Sequence, residues 1–409
     1  MIQMIGIDHT LADVKQRELF SFTKKTAALA MKTVKEETGI SGCVLIATCN
    51  RMELYIHGEG EKKPLPLLSI LCRIKQVPKE LCRSCFVERI GMDAVCHLFY
   101  LAGGLESKII GEDQILAQVK DAVAFARENY ATDTVLEVLF RQAVTAGKKV
   151  KTLVPMERAN TSAAHLAIER LQEMGYSLNG KQCLVIGNGM MGKITALALK
   201  EAGADVTVTV RQYKSGVVEI PKGCARIHYG ERYEKLKDCE VVFSATASPN
   251  VTLLAEQIQQ AGICKPMIFV DLAVPRDIDP NIGQLPEMTL YNIDDFSIDC
   301  RSKDMEAQYQ AAAMILEEAA EAYRNWMECR NLLPEIRKVS ATSAEEIVWR
   351  LKDKMQQTIS EESKQKEVLE LTAAASEKVV SRLLFALRDE LEPEAFRKCI
   401  EILEEKICM

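Results

Sequence analysis

Near the start of the chain, apolar positions follow the period of β-strands. Residues 2–7 and 43–47 are apolar runs, and residues 52–56 alternate between apolar and polar side chains, so each segment predicts a strand. A polar, lysine-rich segment from about residue 15 to residue 38 predicts a helix between the first two strands. The short polar connection at residues 48–51 joins two strands, and a connection held by rigid strands is a common place for chemistry.

Residues 93–130 change to the period of a helix. The residues that recur at steps of three and four are Ile115, Val119, Ala122 and Ala126. They predict one apolar helix face. Gln114 and Gln118 share another face one turn apart, and Gly111 predicts the turn that leads into this helix.

After Gly180, short apolar strands alternate with helical segments. The predicted strands are residues 182–186, 206–210, 241–244 and 267–270. Such alternation implies a parallel sheet with right-handed crossovers.

From about residue 303 the chain is nearly free of strand signals and rich in Glu, Lys, Ala and Leu. Ser343 and Glu346 have capping-box spacing and predict a helix start. Two apolar stripes follow, formed by Ile347, Leu351, Met355 and Ile359 and by Val380, Leu383, Leu384 and Leu387. Because an apolar stripe in water is costly, we expect a helical module that packs against a second subunit. The alternative is a helical bundle within one chain.

A length of 409 residues implies two or three domains. No apolar run is long enough to span a bilayer and no secretory signal stands at the start, so we expect no membrane association and a cytoplasmic location. The net charge of −6 argues mildly against a nucleic-acid partner. A local basic cluster at residues 147–151, with Arg141 upstream, could still bind one, or it could be a solvated helix face.

The fourteen cysteines are scattered and are not expected to form disulfides. Cys82 and Cys85 form the one C-x-x-C pair in the chain, and no second pair stands at zinc-finger spacing. We therefore predict no metal site, and ordinary packing is the better interpretation of this pair.

Gly187, Gly189 and Gly192 form a G-x-G-x-x-G motif between a predicted strand and a predicted helix. In this context the motif is typical of a dinucleotide site, with the pyrophosphate at the helix N-terminus. A glycine turn without a ligand is the alternative. Arg211, at the end of the next strand, favours NADPH over NADH because a guanidinium can bind a 2′-phosphate; otherwise it is a surface charge.

Cys49 is the candidate nucleophile, because it lies in a polar turn beside Arg51, whose charge favours a thiolate. His97 is a candidate acid–base partner, although a histidine in so apolar a segment is often a satisfied core residue. On these residues alone, the chain is predicted to be an NADP-dependent enzyme with a possible cysteine nucleophile.

Five segments, in order along the chain, resemble motifs of the glutamyl-tRNA reductases of tetrapyrrole biosynthesis. They are residues 6–10 with 17–18, the T-C-N-R-M-E at 48–53, the block from 97 to 120, D-L-A-V-P-R-D-I-D-P at 271–280, and Y-N-I-D-D at 291–295. The resemblance covers essentially the whole chain.

The resemblance implies an α/β multidomain fold. Its parts are an N-terminal α/β catalytic domain at residues 1–150, a Rossmann-type NADP-binding domain at 151–300, and an all-helical dimerisation domain with a long spine helix at 301–409. It also implies NADPH-dependent reduction of glutamyl-tRNA to glutamate-1-semialdehyde through a Cys49 thioester, the first committed step of the pathway. The resemblance implies a second copy of the chain as a partner, and the family also suggests an association with glutamate-1-semialdehyde aminotransferase.

The resemblance further implies residue roles. Cys49 and His97 are catalytic. The residues expected to contact the glutamyl group are Thr48, Asn50, Arg51, Ser107, Glu112, Asp113, Gln114 and Gln118. The residues expected to contact the cofactor are Gly187, Asn188, Gly189, Met190, Met191, Gly192 and Arg211.

The chain departs from the family pattern at one residue and in two short segments. Asp113 replaces a usual proline, residues 187–192 read G-N-G-M-M-G instead of G-A-G-E-M-G, and residues 210–212 read V-R-Q instead of N-R-T. Residues 212–236 match poorly. These departures allow a catalytically weak or silent paralogue that binds glutamyl-tRNA or a pathway partner, although the presence of Cys49 and His97 argues against it. A dehydrogenase of the shikimate dehydrogenase type is a further alternative, but it leaves the turn at 48–51 and the helical tail unexplained.

Overall fold

The computed structural model describes residues 1–60, 63–107, 113–154, 162–211, 219–296 and 303–407. It comprises two compact units, Met1–Ala320 and Glu321–Met409. The first unit contains an antiparallel sheet followed by a parallel sheet, and the second is helical, which confirms the predicted fold class. The domain boundaries at 150 and 300 stay predictions. No helix in the described ranges is both long and apolar enough to cross a membrane.

Among the described residues up to 154, the antiparallel part contains four strands and six α-helices. They are β1 (Ile2–Asp8), α1 (Val14–Leu19), α2 (Lys24–Thr38), β2 (Gly42–Ala47), β3 (Arg51–His57), α3 (Leu67–Lys75), β4 (Val87–Ile90), α4 (Met92–Ala102), α5 (Asp113–Glu128) and α6 (Thr134–Leu153). The strand order is β2-β3-β1-β4, and all neighbours are antiparallel. The three strands predicted here are confirmed, and nearly every residue in them is buried.

The single helix predicted for residues 15–38 is wrong, because the segment forms α1 and α2. Phe20 ends α1 and is fully buried, and Thr23 begins α2 with a capping box that involves Thr26. These caps provide partners for backbone groups that a continuous helix would pair internally, so a second helix starts at little cost.

The predicted helix at 93–130 is also divided, into α4 and α5. In α5, Ile115, Val119 and Ala126 are buried, which confirms the apolar face. The turn predicted at Gly111 lies outside the described residues.

The parallel part alternates strands and helices. Its elements are α7 (Ala163–Glu173), β5 (Gln182–Ile186), α8 (Met190–Glu201), β6 (Asp205–Val210), β7 (Ala225–His228), α9 (Arg232–Lys235), β8 (Val241–Ser244), α10 (Ala255–Gln260), β9 (Met267–Asp271) and β10 (Met288–Asn292). The strand order is β10-β9-β8-β5-β6-β7, and the pairs are parallel. The four predicted strands are confirmed. The edge strands β7 and β10 were missed, because they are short and partly exposed.

The order of this sheet reverses between β5 and β8. In open parallel sheets, ligands bind at such a switch point, beyond the carboxyl ends of the strands. One face of the sheet is covered by a buried apolar cluster, which we call the α7–α8 cluster. Its members include Leu171, Val185, Ala196, Val208 and Phe243.

Four helices form the C-terminal part. They are α11 (Lys303–Asn331), α12 (Leu333–Thr358), α13 (Glu362–Glu390) and α14 (Pro393–Ile407). The boundary between the two compact units falls inside α11, whose 29 residues correspond to the predicted spine helix. The helix start predicted at Ser343 is wrong. Ser343 lies within α12, and its hydroxyl donates to the carbonyl of Val339 at 2.6 Å, a bond that suits a helix interior.

The second unit has its own small core, which includes Ile336, Leu384 and Phe396. Part of the predicted stripe on α13 is outside this core, since Leu383 is 61% exposed and Leu387 is 43% exposed. The outward side of α13 therefore carries apolar surface that its own unit does not cover.

Candidate functional site

The connection between β2 and β3 is a tight hairpin closed by the side chain of Thr48. The backbone N–H of Thr48 donates to the carbonyl of Arg51 at 2.9 Å. The hydroxyl oxygen of Thr48 accepts from the backbone N–H groups of Asn50 and Arg51, at 3.2 and 3.1 Å. Cys49 lies at the tip and is half-buried. The predicted tight polar connection is confirmed.

The face of β3 that is covered by α4 and α6 carries Arg51, Glu53 and Tyr55, because residues two apart share a face of a strand. Nη1 of Arg51 donates to Oε1 of Glu53 at 2.6 Å, and the hydroxyl of Tyr55 donates to Oε2 of Glu53 at 2.8 Å. Nη2 of Arg51 donates to the carbonyl of Glu106. All three side chains are nearly fully buried, so Arg51 and Glu53 form a desolvated ion pair.

His97 joins this network from α4. Its Nε2 lies 3.0 Å from Oε1 of Glu53, and its Nδ1 is buried with no hydrogen-bond partner among the residues that the structure describes. Burial alone would raise the pKa of Glu53, but His97 and Arg51 outweigh it and lower that pKa to about 2. An ionised Glu53 only accepts hydrogen bonds, so Nε2 of His97 carries a hydrogen and Nδ1 is the nitrogen available for chemistry.

The expected glutamyl-binding residues lie around this network. Ser107 follows Glu106, whose carbonyl is bound by Arg51. Gln114 and Gln118 are half-buried on α5, which packs against β2. The side-chain oxygen of Asn50 is buried without a partner in the described part of the chain. Glu112 and the side chain of Asp113 lie outside the described residues.

The glycine motif forms the turn from β5 into α8. Gly187 has a φ of 113°, which favours glycine, and a Cβ there would lie 2.6 Å from the carbonyl oxygen of Ala245. A Cβ on Gly192 would collide with the backbone of Gly187, whereas one on Gly189 would meet nothing within 4 Å. Gly189 therefore opens space at the N-terminus of α8, where a pyrophosphate would be stabilised by backbone N–H groups. These residues fit a dinucleotide.

The other expected cofactor residues flank this turn. Asn188 donates from Nδ2 to the carbonyl of Glu219 at 3.1 Å. Met190 is 70% exposed, and Met191 packs against the α7–α8 cluster. Arg211, at the end of β6, places its guanidinium carbon 4.5 Å from the ring centre of Tyr229. This cation–π contact holds an exposed positive charge beside the motif.

A third loop, after β8, also lies at the switch point and was not predicted as part of the site. Buried Asp277 accepts from the hydroxyl of Ser244 at 2.8 Å and from the backbone N–H and hydroxyl of Thr246 at 2.7 and 2.5 Å. Asp277 donates its own N–H to Asp271 at 2.9 Å. Burial, with the charge of Asp277, raises the pKa of Asp271 to about 8, although three backbone N–H donors oppose the shift.

The Cys49 hairpin and the glycine turn both adjoin the α7–α8 cluster. Cys49 packs against the α7–α8 cluster, as do Met191 and Val274. Val14 of α1 is itself a member of that cluster. The Cys49 hairpin therefore lies where the antiparallel part meets the parallel part.

The predicted basic cluster lies on α6. Lys148, Lys149 and Lys151 are exposed, and Lys149 pairs with Glu318 at 3.2 Å. Both interpretations of this cluster, as a solvated helix face and as a nucleic-acid-binding surface, stay predictions.

Sequence reasoning quoted Glu53 and Asp277 in motifs without giving either residue a role. The signal for Glu53 was its position two residues from Arg51 on one strand. Nothing local signals Asp277, because its partners at 244 and 246 are distant in the chain.

Two family models match the chain. Residues 5–154 match the model described as "Glutamyl-tRNAGlu reductase, N-terminal domain", and residues 165–298 match "Shikimate / quinate 5-dehydrogenase". The second match supports a nicotinamide cofactor in the parallel part. It also accounts for the similarity to shikimate dehydrogenases noted from the sequence.

Several similar proteins are named glutamyl-tRNA reductase. A glutamyl-tRNA reductase of Acetivibrio thermocellus is 42% identical over 330 residues, which cover 81% of this chain and 98% of that protein. One of Alkaliphilus oremlandii is 40% identical, covering 80% of this chain and 96% of that protein. The solved structure of the Methanopyrus kandleri glutamyl-tRNA reductase is 25% identical, with a TM-score of 0.47, and the alignment covers 100% of this chain and 99% of that one.

Proposed function

The chain belongs to the glutamyl-tRNA reductase family, and we propose that it reduces glutamate esterified to tRNA to glutamate-1-semialdehyde, with NADPH, through a thioester on Cys49. This reaction is the first committed step of tetrapyrrole biosynthesis. The observation that carries the proposal is the position of Cys49, at a hairpin tip that leads into the Arg51–Glu53–His97 network and packs on the core of the dinucleotide-binding part. The cytoplasmic location stays a prediction.

In the first step, Sγ of Cys49 bonds to the ester carbonyl carbon as the bond to the ribose oxygen breaks. The proton lost by the thiol goes to that oxygen, so tRNA leaves with a free hydroxyl. His97 is suited to carry this proton, because Glu53 fixes Nε2–H and leaves Nδ1 as the exchangeable nitrogen. Glu53 acts through His97 and is a positioning residue.

The glutamyl group requires partners for an ammonium and a carboxylate. The side-chain oxygen of Asn50, which is buried and has no partner among the described residues, is suited to accept from the ammonium. A guanidinium has five N–H donors, and the bonds of Arg51 to Glu53 and Glu106 use only part of them, so Arg51 can also bind the carboxylate. We assign supporting contacts to Thr48, Ser107, Glu112, Asp113, Gln114 and Gln118.

The cofactor is held by residues 187–192 and Arg211. When bound, NADPH would supply a hydride for the thioester carbonyl carbon. Breaking of the C–S bond would then release the aldehyde, and Cys49 would regain its thiol with a proton from solvent. Gly189 provides room for the pyrophosphate, and Arg211 provides a positive charge for the 2′-phosphate.

The C-terminal helices are proposed to form a homodimer. The exposed apolar residues of α13 that support this are Leu371, Val379, Leu383 and Leu387. Light scattering should give a dimer for the parent chain and a monomer when Leu383 and Leu387 are both replaced by Glu. The same change at Leu29, an exposed leucine of α2, should leave the dimer intact. A dimer that survives both α13 changes would contradict this interface. Association with the aminotransferase remains a family-based expectation.

The reaction is tested with purified protein, glutamyl-tRNA and NADPH. We expect semialdehyde from the parent protein and none from Cys49→Ser. Cys264→Ser, which changes an exposed cysteine, should match the parent. Without NADPH, labelled glutamate should stay attached to the parent protein and not to Cys49→Ser. An active Cys49→Ser protein would remove the thioester, and a parent that binds glutamyl-tRNA without forming product would favour the silent paralogue.

A further inference from the structure

Two ion pairs join α1, in the antiparallel part, to the parallel part. In the first, Arg17 is 3% exposed and forks onto Asp294, with Nη1 and Nη2 lying 3.2 and 2.9 Å from the two carboxylate oxygens. Nη1 of Arg17 also donates to the carbonyl of Ala12 at 2.7 Å. A bidentate, mostly buried pair of this kind fixes geometry as well as distance.

The second pair has the opposite polarity. Glu18 accepts from Nε and Nη2 of Arg276 at 2.7 and 2.8 Å, and also from the backbone N–H of Arg276 at 2.7 Å. Consecutive residues of α1 thus present a positive and then a negative charge to an acid and a base. A shifted docking of the two parts would bring like charges together, so the pairs select one register. We call these four residues the clamp.

The clamp is attached directly to the loop after β8. Arg276 is followed by Asp277, which holds Ser244 and Thr246 through three hydrogen bonds. Because β5 carries the pyrophosphate turn and β6 carries Arg211 on one side of it, the loop after β8, on the other side, borders the nicotinamide half of the cofactor groove. This assignment rests on the proposed function.

The clamp also lies at the Cys49 end of the antiparallel sheet. Asp8, the last residue of β1, pairs with Arg51, the first residue of β3, and the Cys49 hairpin precedes Arg51. α1 begins at Val14, shortly after β1 ends, and Val14 belongs to the cluster on which Cys49 packs. The α1 side of the clamp is therefore connected to the Cys49 hairpin through Val14 and β1. The Arg276 side is connected to the loop after β8 through Asp277.

We infer that Arg17, Glu18, Arg276 and Asp294 are positioning residues that align Cys49 with the nicotinamide side of the cofactor groove. Thioester formation uses groups of the antiparallel part alone, whereas reduction of the thioester requires both parts in register. Disrupting the clamp should therefore slow reduction while sparing acylation of Cys49 and binding of NADPH. A residue that merely stabilised the fold would affect all three.

The first test needs no catalysis. Alkylation of Cys49 by iodoacetamide is followed by peptide mass mapping with and without saturating NADPH, and Cys264, which is exposed, serves as the internal reference. We expect NADPH to protect Cys49 in the parent, the protection to be lost in Glu18→Arg and in Arg276→Glu, and the double variant to regain it. Equal alkylation with and without NADPH in the parent would overturn the inference, as would protection that survives both single reversals.

The second test resolves the steps. In single-turnover assays, each reversal should slow reduction by about 10- to 100-fold, the cost of a small misplacement of reacting groups, with acylation and NADPH affinity close to parental. The double variant should recover most of the rate. Glu18→Gln, which keeps an acceptor for the Arg276 N–H, should show a milder loss, and Arg170→Glu, at a pair within α7, should show none. Equal slowing of acylation and reduction would overturn the inference. A parent whose Cys49 is protected but which forms no aldehyde would instead contradict the proposed function.

Discussion

The two sheets of the first unit present their candidate chemistry by different means. The antiparallel sheet relies on buried, charged side chains, since Arg51 and His97 are both hydrogen-bonded to Glu53 in a desolvated network. The parallel sheet relies on backbone room and backbone N–H groups around Gly187–Gly192. Side-chain networks couple function to stability, because removing one charge leaves another buried and unpaired. A glycine turn can separate function from stability at a position such as Gly189, because a small side chain there can block a ligand without disturbing the core.

The largest expected effect is at Glu53. Glu53→Gln removes the charge that Arg51 and His97 share, so we expect a loss of about 3 kcal/mol in the free energy of unfolding. We also expect acylation of Cys49 to slow about 100-fold, because His97 loses its orienting acceptor. Denaturant unfolding and single-turnover acylation measure the two effects. Glu137→Gln, at the solvent-exposed pair with Arg127, should leave both unchanged. A Glu53→Gln protein with parental stability would break the contrast between the sheets.

The next effect should appear without any loss of stability. A Cβ at Gly189 meets nothing within 4 Å, so Gly189→Ala should unfold like the parent. The same methyl group enters the space proposed for the pyrophosphate, and NADPH affinity should fall about tenfold, or ~1.4 kcal/mol. Fluorescence titration with NADPH measures this.

The matched variant for Gly189→Ala is Gly192→Ala, whose Cβ collides with the backbone of Gly187. It should lose both thermal stability and NADPH affinity. Acylation of Cys49 should stay near the parental rate in Gly189→Ala. Parental NADPH affinity in that variant would show that the cofactor does not approach Gly189.

An effect of similar size, but confined to one cofactor, is expected at Arg211, which contributes a side-chain charge to the parallel sheet. Arg211→Gln should weaken NADPH binding by about tenfold, as expected for the loss of a charged hydrogen bond, and leave NADH binding unchanged. Arg226→Gln, an exposed arginine on β7, is the matched control and should change neither. Equal weakening for both cofactors would assign Arg211 a role other than recognition of the 2′-phosphate.

The same contrast explains what could be predicted from sequence. The four central strands of the parallel sheet and the glycine turn were predictable, because apolar runs and glycines act through local backbone geometry. Glu53 lies in an alternating strand, whose polar residues normally face water, yet it is 2% exposed. Its partner His97 is 44 residues away. Only the packing of α4 onto the sheet brings the two together, and no local pattern encodes that.

Interfaces between distant segments were equally hidden. The sequence motifs around Arg17–Glu18 and around Arg276 and Asp294 were recognisable one by one, but their mutual ion pairs span more than half of the chain. The split between α1 and α2 was missed for the opposite reason. Its signals are local, but threonine caps are weak beside a long polar run that is compatible with helix.

The smallest expected effect concerns pH, and it has opposite signs in the two sheets. The pKa of Glu53 is lowered to about 2 in the folded protein, so its contribution to stability is complete above the unfolded pKa and is lost as pH falls. The stability of the parent minus that of Glu53→Gln should therefore rise between about pH 2 and pH 5 and then stay level. The pKa of Asp271 is raised to about 8, so the folded state binds its proton more tightly than the unfolded state does.

The stability of the parent minus that of Asp271→Asn should accordingly decline from about pH 4 towards pH 8. A constant offset is also expected, because an amide nitrogen cannot accept the backbone N–H groups that Asp271 receives from Asp277 and Ile278. The offset does not change with pH, so only the slope tests the ionisation state. Urea unfolding at several pH values, with both variants beside the parent, gives the two slopes. If both slopes had the same sign, the two carboxylates would be buried in the same state, and the electrostatic contrast between the sheets would fail.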